Sequence, residues 1–170
     1  MSSRTLNFAL LLGSLALPAP CRAQTKIPPF KGTSLAGTSV TLPADPGPAL
    51  LIVGFSRKST DDATLWGKRA RVADASLPVY TLPLLADAPK LLRGMILHAM
   101  RGEAPPAVQP RFVPILDHVE EWKKAVGYDS PDAIYILLID PGGAIRWRME
   151  GPATDSAIAE MLRQARTIPG

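Results

Sequence analysis

Ala133-Ile134-Tyr135-Ile136-Leu137-Leu138-Ile139-Asp140-Pro141-Gly142-Gly143-Ala144-Ile145-Arg146-Trp147-Arg148-Met149 is the stretch on which the fold turns. Ala133 to Ile139 is a short, continuous apolar run, which suits a strand buried on both faces. Pro141-Gly142-Gly143 turns the chain back. Ala144 to Met149 then alternates apolar with charged residues, as a half-exposed strand does. Beyond it, Thr154 or Asp155 caps a last helix to about Arg166, with Ile158, Met161 and Leu162 on its inner face.

Upstream, apolar runs alternate with helical patterns. Phe30 to Leu42 reads as a small hairpin with turns at Gly32 and Gly37. Ala49 to Phe55 is a second continuous apolar strand. Ser59 or Thr60 caps the next helix, and Asp61 and Asp62 sit in its first turn, where the helix dipole favours anions. That helix runs to about Ala75 with Leu65, Trp66, Ala70 and Val72 or Ala73 as candidates for its buried face. Pro78 to Leu84 is a strand. Pro89 to Arg101 is a helix whose Leu91, Leu92, Met95, Ile96 and Met100 make an apolar stripe, with Met95 and Met100 read as core packing. Gly102 to Pro110 is a proline-rich loop, Arg111 to Leu116 a further strand, and Val119 to Ala125 a short helix ending at Gly127.

The order is hairpin, β, α, β, α, β, α, β, β, α. Alternating units of this kind imply an α/β fold with a parallel sheet and helices on both faces, and the closing strand–turn–strand makes one edge antiparallel. This central mixed sheet, with its closing β-hairpin and C-terminal helix, is the thioredoxin-like arrangement. The run from Tyr135 to Trp147 resembles the closing hairpin of thioredoxin-like and peroxiredoxin-like proteins. A longer set is similar to the mitochondrial ATP synthase F-zero assembly factor family and its bacterial relatives. It comprises Leu91-Leu92-Arg93-Gly94-Met95-Ile96, Trp122 to Gly127, the hairpin, and Gly151-Pro152-Ala153-Thr154. The resemblance covers roughly 48–166 and implies a membrane-protein assembly chaperone rather than a reductase.

Enzymes of this fold place a nucleophilic cysteine at the start of the helix after the first core strand, where the helix N-terminus lowers the thiol pKa. The matching stretch here is Phe55-Ser56-Arg57-Lys58-Ser59-Thr60-Asp61-Asp62-Ala63, and it has no sulfur. The substrate-clamping cis-proline of thioredoxins falls near Ile134, and the nearest proline, Pro131, comes too early. A serine nucleophile needs a base, and the only histidines are His98 and His118. Their isolation also argues against a metal site, and no cofactor is expected. Ser56, Arg57, Lys58, Ser59, Thr60, Asp61 and Asp62 are therefore candidates for binding. Together with Gly102 to Pro110 they would form a docking surface for a protein client. The alternative is a thioredoxin-fold enzyme or anion-binding protein using a non-thiol site; Asp61 and Asp62 oppose an anion there.

The chain opens with a basic, apolar, small-residue series. Arg4 leads, Phe8 to Leu17 is almost wholly apolar, and Cys21-Arg22-Ala23 offers small cleavage subsites. No acid occurs before Asp45. A secretory signal peptide over 1–23 is expected, followed by an N-terminal extension and hairpin over 24–47 and the thioredoxin-like domain over 48–170. The mature protein would be periplasmic or secreted, with a lipid anchor at Cys21 or mitochondrial import as alternatives. Cleavage after Ala23 removes the only thiol in the sequence. The formal charge is +4, and removing Arg4 and Arg22 leaves +2, too little to argue for nucleic acid. No membrane span is expected after leader removal, and a monomer is the default because no exposed apolar stripe stands out.

Overall fold

The computed structural model describes residues 25–169 apart from 44 and 87. The expected leader, including Cys21, lies outside the described residues. The first elements are the expected hairpin: β1 (Phe30–Thr33) pairs antiparallel with β2 (Ser39–Leu42), although Gly32 lies within β1, opposite Val40, and not in a turn. Gly37 lies between them at a φ of +82°, a conformation that glycine adopts without strain. β3 (Ala49–Gly54), α1 (Thr60–Ala73), β4 (Val79–Pro83) and α2 (Lys90–Glu103) follow. The chain then forms α3 (Val119–Val126), β5 (Ile134–Ile139), β6 (Ile145–Glu150) and α4 (Asp155–Ala165).

The main sheet has the order β4-β3-β5-β6. β3 and β5 occupy its centre, and every residue of β5 is buried, as its apolar run requires. β3 runs parallel to β4 but antiparallel to β5, and β5 antiparallel to β6. The sheet is thus more mixed than a parallel sheet with one reversed edge. The connection from β4 to β5 contains both α2 and α3 and starts and finishes at one end of the sheet, where Pro83 and Ile134 both pair with Gly54. The turn into β6 is held by Asp140: its Oδ1 accepts from the amides of Gly142 and Ala144, each at 2.9 Å, and its Oδ2 meets Arg146 Nε at 2.9 Å.

Two apolar layers flank the sheet. α1 and α4 cover one face, where Trp66, Ala70, Ile158 and Met161 meet Leu50, Ile52, Ile136 and Leu138. α3 and the N-terminal hairpin cover the other, where Trp122, Phe30 and Leu42 meet Leu51, Val53, Tyr135 and Leu137. Helices on both faces follow from the alternation of β and α units.

Four local readings need correction. Arg111 to Leu116 is not a strand. Gln109–Arg111 is a single 3-10 turn, and the residues after it only bridge to β4 at Thr81–Phe112 and Leu84–Ile115. Val113 and Ile115 donate to the Thr81 and Pro83 carbonyls, but Pro83 has no amide to return a bond, so the ladder is interrupted there. In α1, Trp66 and Ala70 are buried but Leu65 and Val72 face solvent. Ser59 makes no side-chain cap; Ser56 instead caps a 3-10 turn over Arg57–Ser59 that leads into α1. Finally, α2 buries none of its residues, and Met95 is exposed rather than in a core. α2 therefore presents the exposed apolar stripe whose absence supported the monomer expectation.

Candidate functional site

β3 ends at Gly54, and the chain bends over the sheet end into α1. Gly54 is required by close approach: a Cβ there would lie 2.8 Å from Ser59 Oγ. Ser59 is 1 % exposed and donates to the Ser56 carbonyl at 2.9 Å, so its hydroxyl braces the turn from within. Ser56 Oγ accepts from the Lys58 amide at 3.1 Å. Thr60 opens α1 and its carbonyl accepts from Thr64 Oγ1 at 2.9 Å. Asp61 and Asp62 occupy the first turn, Asp61 exposed and Asp62 half-buried.

The structure adds a residue that the sequence reading missed. Asp132, in the loop before β5, accepts from Ser56 Oγ at 3.0 Å through one carboxylate oxygen and from Lys58 Nζ at 2.8 Å through the other. These contacts bridge the α1 loop and the β5 loop. The β5 loop is held in turn by the buried Tyr135. Its hydroxyl accepts from the amides of Asp129 and Ser130 and donates to the Ser130 carbonyl, all at 2.9 Å. The Tyr135 ring stands edge-on to Phe55 at 5.5 Å, directly before Ser56. On the other side of the loop, Arg57 reaches toward Glu103 at the end of α2, at 4.0 Å and largely exposed. Ser56, Lys58 and Asp132 are thus brought together, while Thr60, Asp61 and Asp62 point along α1 and Arg57 toward α2.

The electrostatics favour a charged pair. The Lys58 hydrogen bond, reinforced by that of Ser56, holds the Asp132 carboxyl below its ordinary value of 3.8. The same contact raises the Lys58 ammonium above its usual 10.5. A carboxylate that resists protonation and an ammonium that resists deprotonation are both poor proton shuttles near neutral pH. His118 Nδ1 is bonded to Glu121 at 2.6 Å on its own helix, and His98 is exposed on α2. Among the described residues no group of three or more His, Cys, Asp or Glu is placed to hold a metal. The cis peptide among the described residues is Leu42–Pro43, so none precedes β5.

A pH dependence follows from the depressed carboxyl. With the folded value below the unfolded one, the pair's contribution is fully present above the unfolded value and is lost as pH falls through the folded value. Carboxyl-carbon NMR should place the Asp132 midpoint below 3.8 and show Lys58→Ala moving it up. A midpoint unmoved by Lys58→Ala would show that the two loops are not bridged in solution.

This sheet order, with a turn and helix after β3 and an antiparallel closing hairpin, defines a thioredoxin-like α/β protein. Solved structures agree. The exposed lipoprotein thioredoxin Etrx1 of Streptococcus pneumoniae superposes with a TM-score of 0.59 at 16 % identity, covering 81 % of this chain and 99 % of that one. BsSco, a member of the Sco family of cytochrome c oxidase assembly proteins, gives 0.57 at 13 % identity, covering 85 % and 96 %. The thio-disulfide isomerase of Thermus thermophilus gives 0.52 at 21 % identity, covering 84 % and 95 %. No protein-family model and no curated protein matches the chain. The fold is therefore shared, and none of these comparisons supports the narrower resemblance to the ATP synthase F-zero assembly factors.

Proposed function

We propose that this is a redox-inactive, thioredoxin-like interaction protein that assists assembly of an exported or membrane client. The observation that carries this reading is the composition of the α1 loop. The turn that presents a thiol in enzymes of this fold holds Ser56, Arg57, Lys58, Ser59, Thr60, Asp61 and Asp62, and Lys58 is locked to Asp132 instead. A fold that keeps the platform and lacks the nucleophile retains a surface for a chain to lie on. An assembly role matches that of the cytochrome c oxidase assembly family to which BsSco, a protein of the same fold, belongs. A secretory leader would carry the protein to the periplasm or outside the cell, where such a client would be met.

Photo-crosslinking in cells from positions 57 and 61, followed by mass spectrometry, tests the reading. The expected result is one exported or membrane protein captured from both positions, with capture from position 61 lost when Arg57 and Lys58 are replaced by Glu. Turnover of a substrate by the purified protein, with client capture indifferent to those reversals, would sink it.

A further inference from the structure

The main sheet has two outer strands, and the fold treats them differently. β4 is covered along its outer side, where the amides of Val113 and Ile115 donate to the Thr81 and Pro83 carbonyls, both at 2.8 Å. β6 is covered only where it begins. Lys26 pairs antiparallel with Ala144, Ile145 donates to the Thr25 carbonyl at 2.8 Å, and Ile27 donates to the Gly143 carbonyl at 3.0 Å. Farther along, no strand among the described residues lies outside β6. Alternation decides which backbone groups face that open side. The Gly151 amide donates inward to the Ile134 carbonyl at 3.1 Å. Met149 and Trp147, opposite Ile136 and Leu138, therefore also turn their backbone groups toward β5. Arg148 and Glu150 turn theirs outward, where an open edge offers them to another strand.

The side chains say which strand fits. Arg148 and Glu150 are exposed on one face of β6, opposite Leu137 and Tyr135. Neither has an ion-pair partner among the described residues, whereas Arg146 is already paired with Asp140. Trp147 and Met149 lie on the other face, half-buried against the layer under α1 and α4. Like charges along an edge repel a copy of the same edge, but here the signs differ two residues apart. Two antiparallel copies centred on Met149 place each Arg148 opposite Glu150 of the other copy. These are the outward-facing residues, so each such pair also exchanges both backbone hydrogen bonds. On the other face Met149 meets Met149 of the other copy, with Trp147 diagonal to it, a contact that suits a thioether and a ring. A register centred on Arg148 would instead oppose two arginines. After Glu150 the chain bends at Gly151, at a φ of +109°, and passes into α4, so each copy leaves the edge before the position taken by Thr25.

We propose that the outer edge of β6 pairs antiparallel with a second copy of this chain, centred on Met149, to make one continuous sheet across a two-fold dimer. The occupant is a copy rather than an arbitrary extended peptide because this edge carries both halves of its own charge complement. The paired stretch is short, so the association is reversible and depends on concentration. The α1 loop follows β3, two strands away from this edge. It stays open on both copies, and the dimer holds or fails whatever client that loop meets.

Sedimentation equilibrium tests it. Both apolar layers are built from residues between Ile27 and Ile168, so the chain from residue 24 carries the complete described fold and excludes the apolar leader as a source of association. The expected result is a monomer–dimer equilibrium. R148E sets like charges opposite each other at both pairs of the dimer and should raise the dissociation constant roughly tenfold or more, as should E150R. The exchange R148E/E150R restores opposite charges and should return the constant to within about threefold of its original value. Matching circular-dichroism melts would show that the variants fold. Hydrogen exchange reads the unaltered chain: the Arg148 and Glu150 amides should slow as protein concentration rises. A chain that stays monomeric up to about 1 mM overturns the proposal. So does a dimer indifferent to R148E, a loss that the charge exchange does not rescue, or amides that exchange alike at all concentrations. A dimer that L91D/M95D dissociates and R148E does not would assign association to α2 instead.

Discussion

Trp66→Ala should lower the unfolding free energy by about 3–5 kcal/mol, the range for deleting a large aromatic from a packed core. Trp66 is fully buried between α1 and the sheet, and it is among the largest side chains in the interior. It also donates from Nε1 to the Gly151 carbonyl at 2.8 Å, tying α1 to the end of β6. A second strut lies one turn on, where Arg69 bonds the Ala153 carbonyl and pairs with Asp155. Together these contacts fix the helix whose first residues follow the candidate loop. Trp66→Phe separates the two contributions: most of the apolar volume stays, the donor goes, and the cost should fall to about 1–2 kcal/mol. Urea unfolding of both variants is the measurement. A loss below about 1 kcal/mol for Trp66→Ala would mean that the site collapses around the gap and that Trp66 is not the anchor of α1.

Legibility in the sequence follows how local each cause is. β3 and β5 could be read directly because a strand buried on both faces has to be apolar at every position. The turn at Asp140 was readable for the same reason, since its carboxylate bonds amides only two and four residues away. α2 shows the limit of periodicity. A stripe at three- and four-residue steps predicts an amphipathic helix, but not whether the remaining fold covers it. Leu91 and Met95 lie on the uncovered side of a correctly placed helix. The stretch from Arg111 had strand composition, yet Pro83 of β4 has no amide to give it in return. Asp132 was out of reach for a different reason. Its partner Lys58 lies 74 residues earlier, and only pairing of β3 with β5 brings the two loops side by side. The only local sign was a turn-forming cluster, Asp129-Ser130-Pro131-Asp132.

That dependence of the site on the sheet makes Tyr135→Phe the most informative single change. The ring would keep its packing: Phe55 stands 5.5 Å away at 89°, and Tyr128 6.1 Å away. Only the hydroxyl is lost. The amides of Asp129 and Ser130 then lose their acceptor, and the Ser130 carbonyl loses its donor. Leaving such groups unpaired costs about 1–3 kcal/mol, with the lower end applying where water can reach the loop. The effect should extend beyond stability, because Asp132 is two residues from Ser130. With the loop released, the carboxylate no longer sits at fixed distance from Lys58 and Ser56, and its midpoint should rise toward 3.8. Hydrogen exchange at Asp129 and Ser130 should speed up as well. Lys58→Ala provides the contrast: it should raise the Asp132 midpoint while leaving those two amides protected. If Tyr135→Phe exposed the amides and left the Asp132 midpoint in place, the bridge would hold the loop by itself and Tyr135 would be structural only. If both move together, a buried hydroxyl on the central strand sets the geometry of the surface offered to a client.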